Sequence, residues 1–301
     1  MQTIFGLTKI KRIPGALVAL GVFDGVHRAH REILKYAVKE ARRIKGKSVA
    51  VTFWPHPQKE ASLYSLAHRL RLISELGIDI CVVINFNRSF ANISAEDFVK
   101  DVLLDKLDAR YILVGKNFRF GKDASGNPAL LEKLSRRYHF RLKVFSVMKV
   151  RGLSISSTYI RRAISRGELK VAQDLLLRPV SILGTVMRGN SLGRRIGFPT
   201  ANINPRHEVL PSCGIYAVKI IFGKVRLKGV CYIGTRPTLS RKKIIHVEVH
   251  IFNFRRNIYG KDLEINFIRK MRSDKKFPSL DLLAKAIKKD AALAKKLLSS
   301  P

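Results

Sequence analysis

Near the start of the chain, Gly21-Val-Phe23-Asp24-Gly25-Val-His27-Arg-Ala-His30 brings together residue types suited to phosphate chemistry. An apolar run, Ala16 to Leu20, precedes the segment, and a helix-patterned run, Arg31 to Ile44, follows it. A strand that turns through glycines into a helix offers free backbone N–H groups and the positive end of a helix dipole, which together hold phosphate. Histidines three apart share one face of a helical turn. The segment therefore reads as a nucleotide site, with Gly21, Phe23, Asp24 and Gly25 in the phosphate-holding turn and the imidazoles of His27 and His30 aimed at a polyphosphate. Taken alone, H-x-x-H is equally an exposed turn or part of a metal site. Its position at the carboxyl end of the first strand of an α/β pattern favours a ligand site.

Three further segments have types that could converge there. Phe53-Trp54-Pro55-His56-Pro57 follows the second expected strand, and its rings and prolines suit a rigid wall against an aromatic ligand. Gly115-Lys-Asn117-Phe118-Arg119-Phe120-Gly121 follows the fourth. There Asn117 suits a ribose or phosphate, and Phe118 or Phe120 a planar pocket; a glycine-bounded turn with core phenylalanines is the other reading. Ser156, Ser157 and Thr158 open a later helix, where hydroxyls are ordinary caps. With Arg161 on the same first turn they can also grip a triphosphate through charge-assisted bonds.

The densest run of special residues comes later, from Gly184 to Asn202. Gly184, Gly189, Gly193 and Gly197 let backbone N–H groups approach phosphates closely. Thr200 and Asn202 are hard oxygen donors of the kind Mg²⁺ takes. Beyond them, Val247, Val249 and Ile251 alternate with Glu248, His250 and Phe252, so Glu248 shares a sheet face with His246 and His250. On spacing alone, Glu248 is an exposed strand carboxylate or a catalytic one.

The elements that must position these residues fall into two halves. Up to Pro179, short apolar runs (Leu17–Phe23, Val49–Phe53, Ile80–Ile84, Tyr111–Val114, Leu142–Val147) alternate with helical patterns (Glu32–Ile44, Leu66–Leu76, Ala95–Leu107, Ala129–Tyr138). Ser94 with Asp97 has the pattern of a helix N-cap. Such alternation predicts a parallel sheet covered by helices. After Pro179 the period becomes two, with a hairpin turn expected at Gly223-Lys224. The tail Leu280–Leu298 returns to helical spacing, so the second half reads as a mostly antiparallel β-barrel or sandwich with a terminal helix. The boundary falls at Arg178-Pro179-Val180-Ser181, giving domains 1–179 and 180–301.

The chain has 301 residues and 46% hydrophobic content, enough for two globular domains. Its 58 Lys+Arg against 22 Asp+Glu leave a formal charge of +36. That field attracts ATP, flavin phosphates, RNA or anionic membranes. The cations are scattered along the whole length, which argues against specific nucleic-acid recognition and leaves weak, salt-sensitive sticking to RNA. Cys81, Cys213 and Cys231 form no metal-type pair and no even framework, as expected of a cytoplasmic protein. The N-terminal apolar run is only about eight residues, too short for a membrane span.

In order, these motifs resemble those of the bifunctional bacterial riboflavin kinase/FAD synthetase family over nearly the whole chain. Gly21–His30, Phe53–Pro57, Gly115–Gly121 and Ser156–Arg161 are similar to hallmark segments of its FMN adenylyltransferase module, a member of the nucleotidyltransferase superfamily with a Rossmann-like sheet. The Gly184–Asn202 run, ending in Pro-Thr-Ala-Asn, resembles the riboflavin-kinase signature. Leu210–Tyr216, Gly234–Thr238, Tyr259-Gly260-Lys261 and Arg272…Phe277 match as well. The resemblance implies ATP and Mg²⁺, with riboflavin and FMN as flavin substrates. Within it, Glu248 is the general base that takes the proton from the riboflavin 5′-hydroxyl. His27, His30 and Arg161 serve the adenylyl transfer, while Phe53, Pro55, His56, Pro57, Asn117, Phe118 and Arg272 contact flavin. Two departures stand out: alanine at 29 where the family has glycine, and Trp54 before Pro-His-Pro. A kinase with weak or lost adenylyltransferase activity, and a basic RNA-associated protein on the same scaffold, are the alternatives.

Overall fold

A computed structural model describes residues 1–10, 12–57, 62–150, 152–189, 193, 196–235 and 245–299. The expected motif residues Asn190, Ser191, Leu192, Arg194, Arg195, Arg236, Pro237 and Thr238 lie outside the described residues. The chain forms two compact units, Met1–Ser62 with Leu66–Ser157, and Leu63–Ser65 with Thr158–Pro301. Among the described residues no helix is long and apolar enough to cross a membrane.

The first unit is built on six parallel strands: β1 (Gln2–Phe5), β2 (Ala16–Leu20), β3 (Lys47–Trp54), β4 (Ile80–Asn85), β5 (Ala109–Gly115) and β6 (Arg141–Phe145). Their order across the sheet is β1-β4-β3-β2-β5-β6. Every residue of β2 is buried, which is what an unbroken apolar run requires of a strand covered on both faces. The connecting helices are α1 (Arg28–Arg43), α2 (Leu66–Ser74), α3 (Arg88–Ala91), α4 (Ala95–Asp97) and α5 (Pro128–Tyr138). Helix α1 buries Ile33, Leu34, Ala37, Val38 and Ala41, one stripe at helical spacing. A short ribbon, β7 (Lys149–Val150) with β8 (Leu153–Ser154), follows β6.

Two sequence expectations change here. The histidine motif follows the second strand rather than the first, because β1 precedes it. With four residues, half exposed and paired only to β4, β1 carries too short an apolar pattern to declare itself. The predicted helix over Ala95–Leu107 is a composite. Ser94 caps it as expected, accepting from the Asp97 N–H at 3.0 Å, but Phe98–Lys106 is wound as a π-helix. The strand order also places the motif. The sheet grows from β2 toward β3 on one side and β5 on the other, so the direction of winding reverses between β2 and β5. The crevice beyond the carboxyl ends of such a pair is where open α/β sheets bind ligands.

In the second unit a closed antiparallel barrel runs β10-β13-β12-β11-β14-β9. Its strands are β9 (Val180–Met187), β10 (Ala201–Asn204), β11 (Gly214–Phe222), β12 (Val225–Thr235), β13 (Ile245–Ile251) and β14 (Asp262–Arg272). The β11–β12 hairpin turns at Gly223-Lys224 as expected, with Gly223 at φ 59° in the first central position. Helices α6 (Ser157–Ser165) and α7 (Leu169–Leu176) lead into the barrel, and α8 (Leu280–Ser299) closes the chain against β11 and β12. Strand β9 does begin beside Pro179, yet compactness divides the chain earlier, after Ser157. The reason is α7, whose apolar face of Ala172, Leu175 and Leu176 packs on β9 and β14. Glu208, buried at 4% exposure, accepts the Ser65 and Leu183 N–H groups at 2.9 and 3.0 Å, holding Leu63–Ser65 within this unit.

Candidate active sites

In the first unit, β2 ends at Leu20 and Gly21 turns the chain, its N–H still bonded to the Val51 carbonyl at 3.2 Å. Phe23 (φ 51°), Gly25 (φ 83°) and Val26 (φ 40°) then take left-handed backbone conformations. For phenylalanine and β-branched valine these are strained, a state that persists only where the surroundings enforce it. His27 caps α1, its Nδ1 accepting the His30 N–H at 3.4 Å, so the neutral ring carries its hydrogen on Nε2. The two imidazoles stack at 3.6 Å between centroids and 16° between planes, and the Phe23 ring meets His30 edge-on at 5.3 Å. The shared face expected from three-residue spacing is therefore present as a stacked pair.

Ala29 is the second residue of α1 and has no positive φ. The backbone at this position is helical, so a methyl group meets no conformational penalty. Ser157 Oγ donates to the Asp24 carbonyl at 2.9 Å, joining the start of α6 to this turn. Ser156 precedes it, while Thr158 and Arg161 follow in α6 and belong to the second unit.

Arg69 was not singled out by its sequence context. It is fully buried, and its guanidinium donates to the Val22 carbonyl at 2.6 Å and the Phe53 carbonyl at 3.2 Å. Thr52 Oγ1 donates to the same Val22 carbonyl at 2.7 Å. One cation thus ties the exit of β2 to the exit of β3, which are the starts of the two motif loops. Burial lowers its pKa, and the negative charge of buried Asp24 opposes that shift. The signal was legible: Arg69 falls on the buried stripe of α2, with His68, Leu72 and Ile73.

The flavin-contact expectations for this unit divide. Phe53 is 6% exposed and packs with Phe86 and Phe90 at 6.2 and 6.0 Å. It is a core side chain rather than a pocket wall, because β3 turns its ring into the sheet's hydrophobic cluster. Phe118 stacks on Phe120 at 5.6 Å and packs against that same cluster, nearer to the core-turn reading. Asn117 stays exposed. Of the Trp-Pro-His-Pro run, Trp54 is 37% exposed, with the Arg69 guanidinium 5.5 Å over its ring. Pro55, His56 and Pro57 follow at the surface or half-buried.

The second unit holds a cavity of about 480 Å³. Thr200, Glu248, His250, Arg272, Asp274 and Asp290 are among its polar lining, facing apolar side chains that include Ile215, Val230 and Phe277. Glu248 lies on the outer face of β13, between buried Val247 and Val249, as period two requires. Thr200 Oγ1 donates to Glu248 Oε2 at 3.2 Å, and Asn202 on β10 pairs directly across from Glu248. Thr200, just before β10, and Glu248 on β13 therefore meet at the cavity wall, with Asn202 of β10 paired beside them. Gly193 closes on this group: a Cβ there would lie 3.1 Å from Thr200 Oγ1 and collide with the Phe198 carbonyl. At Gly189 a Cβ would collide with the Asn202 amide. Close approach of backbone demands glycine at 193, while a side chain at 189 would displace the Asn202 amide. Gly197, at φ 82°, is exposed in the same loop. Gly184 is not part of the group; it is buried in mid-β9, against Ile203 and the Asn204 backbone.

Arg272 lines the cavity but is not free to turn. Its guanidinium forks onto Asp290 of α8, with Nε at 3.1 Å from both carboxylate oxygens and Nη2 at 2.7 Å from Oδ2, and lies 5.6 Å over the Phe277 ring. Asp290 is in register with Ala294 and Leu298 on the buried stripe of α8, again a charge on an apolar face. Tyr232, directly across β12 from Glu248, donates to Asp274 at 3.1 Å. Burial first, then the Asp274 and Glu248 charges, push its phenol up to about 12. Tyr232 therefore stays protonated, donating to Asp274 beside Glu248. Among the described residues no group of three or more His, Cys, Asp or Glu is arranged to hold a metal ion.

Comparison with known proteins matches each unit separately. The family described as FAD synthetase matches residues 9–159, and that described as riboflavin kinase matches residues 176–298. A bifunctional riboflavin kinase/FMN adenylyltransferase from Buchnera aphidicola (Schizaphis graminum) is 36% identical over 98% of both chains. The protein of that name from Escherichia coli K12 is 35% identical over 98% of this chain and 97% of its own. Its Haemophilus influenzae counterpart is 36% identical over the full length of both. A solved structure from Streptococcus pneumoniae, described as a macrolide-efflux protein, superposes with a TM-score of 0.85 at 28% identity, over 98% of this chain and 99% of that one.

Proposed function

The chain belongs to the family of bifunctional riboflavin kinase/FMN adenylyltransferases, and from that premise we propose how its residues divide the two reactions. It is a transferase of flavin-cofactor biosynthesis: a riboflavin kinase and an FMN adenylyltransferase. We assign the adenylyl transfer to residues 1–179 and the kinase to residues 180–301, with ATP as the second substrate of both. We place the reactions in the cytoplasm, where unpaired thiols such as Cys81, Cys213 and Cys231 stay reduced.

In the kinase step the riboflavin 5′-oxygen attacks the γ-phosphorus of ATP, the bond from that phosphorus to the bridging oxygen breaks, and ADP leaves. The hydroxyl proton passes to Glu248, which is positioned for that role by Thr200. The observation that carries this reading is the 3.2 Å Thr200–Glu248 contact, with Asn202 opposite, on the wall of a cavity with apolar sides. Thr200 and Asn202 are hard oxygen donors, and two such ligands beside substrate phosphates suit Mg²⁺. When bound, the ion would neutralise phosphate charge. The apolar side of the cavity suits the isoalloxazine, with Arg272 held at its edge by Asp290.

In the second step an FMN phosphate oxygen attacks the α-phosphorus of ATP, and pyrophosphate leaves. That nucleophile is already largely ionised, since its second pKa is about 6. His27, His30, the Gly21–Gly25 turn, Ser156 and Ser157 therefore act as donors and cations that align two anions. Pro55, His56, Pro57, Asn117 and Phe118 remain the flavin-facing assignment in this half, with Phe53 acting from behind through the core. The helical backbone at Ala29 supports retention of this activity.

The test is direct. Full-length protein with riboflavin, ATP and Mg²⁺, its products separated by chromatography, should yield FMN and then FAD. FMN without FAD removes the second assignment, and no turnover removes both.

A further inference from the structure

We infer that His250 is a positioning residue of the kinase step, its Nδ1–H clamping the Pro199 carbonyl so that Thr200 is held against Glu248. This rests on the assignment of Thr200, Asn202 and Glu248 to phosphoryl transfer. His250 Nδ1 lies 2.8 Å from the Pro199 oxygen. A carbonyl oxygen only accepts, so Nδ1 carries the hydrogen, and in the neutral ring Nε2 is the lone-pair nitrogen.

The ring has little freedom to do otherwise. Phe198 meets it edge-on at 5.6 Å and 76°, and Phe252 at 5.7 Å and 69°. Its backbone is fixed in β13 opposite Val230. The segment it holds has less support of its own. Pro199 has no N–H to donate, and β10 begins only at Ala201. Upstream, the Phe198 N–H closes a turn onto the Gly193 carbonyl at 2.7 Å. Between that turn and β10, the chain is tied to β13 by two side chains two residues apart: His250 on Pro199 and Glu248 on Thr200. The Pro199–Thr200 peptide carries the Thr200 hydroxyl, so its rotation sets where that hydroxyl points. Without His250, the Thr200–Glu248 contact is, among the described residues, the side-chain tie left between this peptide and β13. A displacement of about 1 Å at a reacting group can lower a rate by about a hundredfold.

The discriminating variants keep or move the donor. Asparagine places an N–H₂ where histidine has Nδ1, glutamine places it where histidine has Nε2, and phenylalanine has none. Steady-state kinetics on the full chain should show kinase kcat reduced by about a hundredfold in His250→Gln and His250→Phe. His250→Asn should stay within about fivefold of the parent, and riboflavin KM within about threefold in all three. FMN adenylylation by the same preparations should be unchanged, reporting the first unit, while the parental riboflavin KM reports that the barrel is intact. If the phenylalanine variant does not fold, the two amides, matched in polarity, still decide the matter. Parental kcat in His250→Gln, or equal losses in Asn and Gln, overturns the clamp. A raised riboflavin KM at parental kcat also overturns it, making His250 a substrate contact. Glu248→Gln run alongside separates the two failures: if it retains kinase activity, the site assignment falls, whatever His250 does.

Discussion

The two sites face the same phosphate chemistry with opposite residue types. At the end of β2 the motif presents two stacked imidazoles, His27 buried and His30 half-buried, and the carboxylate in the turn, Asp24, is buried where its charge supports Arg69. On the barrel, a carboxylate is the centre of the arrangement, held by a hydroxyl and flanked by an amide. Under the assignment proposed above, the difference follows from the nucleophile. An alcohol must lose a proton as it attacks, so its site needs an acceptor. A phosphate monoester has already lost it near neutrality, so its site needs only donors and alignment. Two transfers from the same nucleotide thus ask for different side chains.

The strongest way to break this contrast is to exchange the losses. Glu248→Gln keeps shape and removes the acceptor, and should lower riboflavin phosphorylation by about a thousandfold. FMN-to-FAD conversion should remain at the parental rate. His30→Ala should do the reverse, with FAD formation reduced about a hundredfold through lost stabilisation of phosphate charge. Both rates are read from one preparation supplied with riboflavin or with FMN. If either variant, still folded, loses both steps, the two sites do not act separately.

Arg69→Met sharpens the comparison at the level of support. It keeps volume but removes the donors that join the Val22 and Phe53 carbonyls. Charge-assisted bonds of this kind contribute about 2–3 kcal/mol, so the first unit should melt earlier than the second in calorimetry. Adenylylation should fall about tenfold to a hundredfold as the two loops loosen, with kinase kcat unchanged. Asp290→Asn is the milder counterpart on the barrel. The fork to Arg272 loses its charge, and riboflavin KM should rise roughly tenfold, equivalent to about 1.4 kcal/mol. A fall in kcat without a change in KM would move Asp290 out of the flavin pocket.

Much of this was legible in the order of residues. Period two through Val247–Ile251 correctly turned Glu248 away from the buried aliphatics, and three-residue spacing brought His27 and His30 onto one face. Turn chemistry located the hairpin at Gly223. Contacts between distant segments were not legible. Arg69 finds its partners 16 and 47 residues away, and Asp290 finds Arg272 18 residues away. Local periodicity marks each as a charge on an apolar stripe and says nothing about its partner. Phe53 misled for a related reason: beside two prolines and a histidine it looks like part of a pocket, while β3 is buried on both faces up to Phe53 and its ring packs with Phe86 and Phe90. The change of period at Pro179 marked a strand start faithfully, yet compactness follows the packing of α7, which no period reveals.

The smallest predicted effect bears on the histidine site itself. Alanine at 29 departs from the glycine of the family, and glycine there would matter in either of two ways. A left-handed backbone would penalise the methyl, or a bound nucleotide would pack where the methyl stands. The first is answered by the helical backbone of α1 at this position. Glycine would then destabilise the helix, by roughly 0.5 kcal/mol in a first turn against about 1 kcal/mol in an interior. Ala29→Gly should therefore lower the melting temperature of the first unit slightly and leave the kinase untouched. Adenylylation should stay within about threefold of the parent, below the tenfold that 1.4 kcal/mol would give. A gain of tenfold or more in FAD formation would mean that the methyl obstructs the nucleotide. The contrast between the sites would then lie in a steric block at one of them as well as in their proton chemistry.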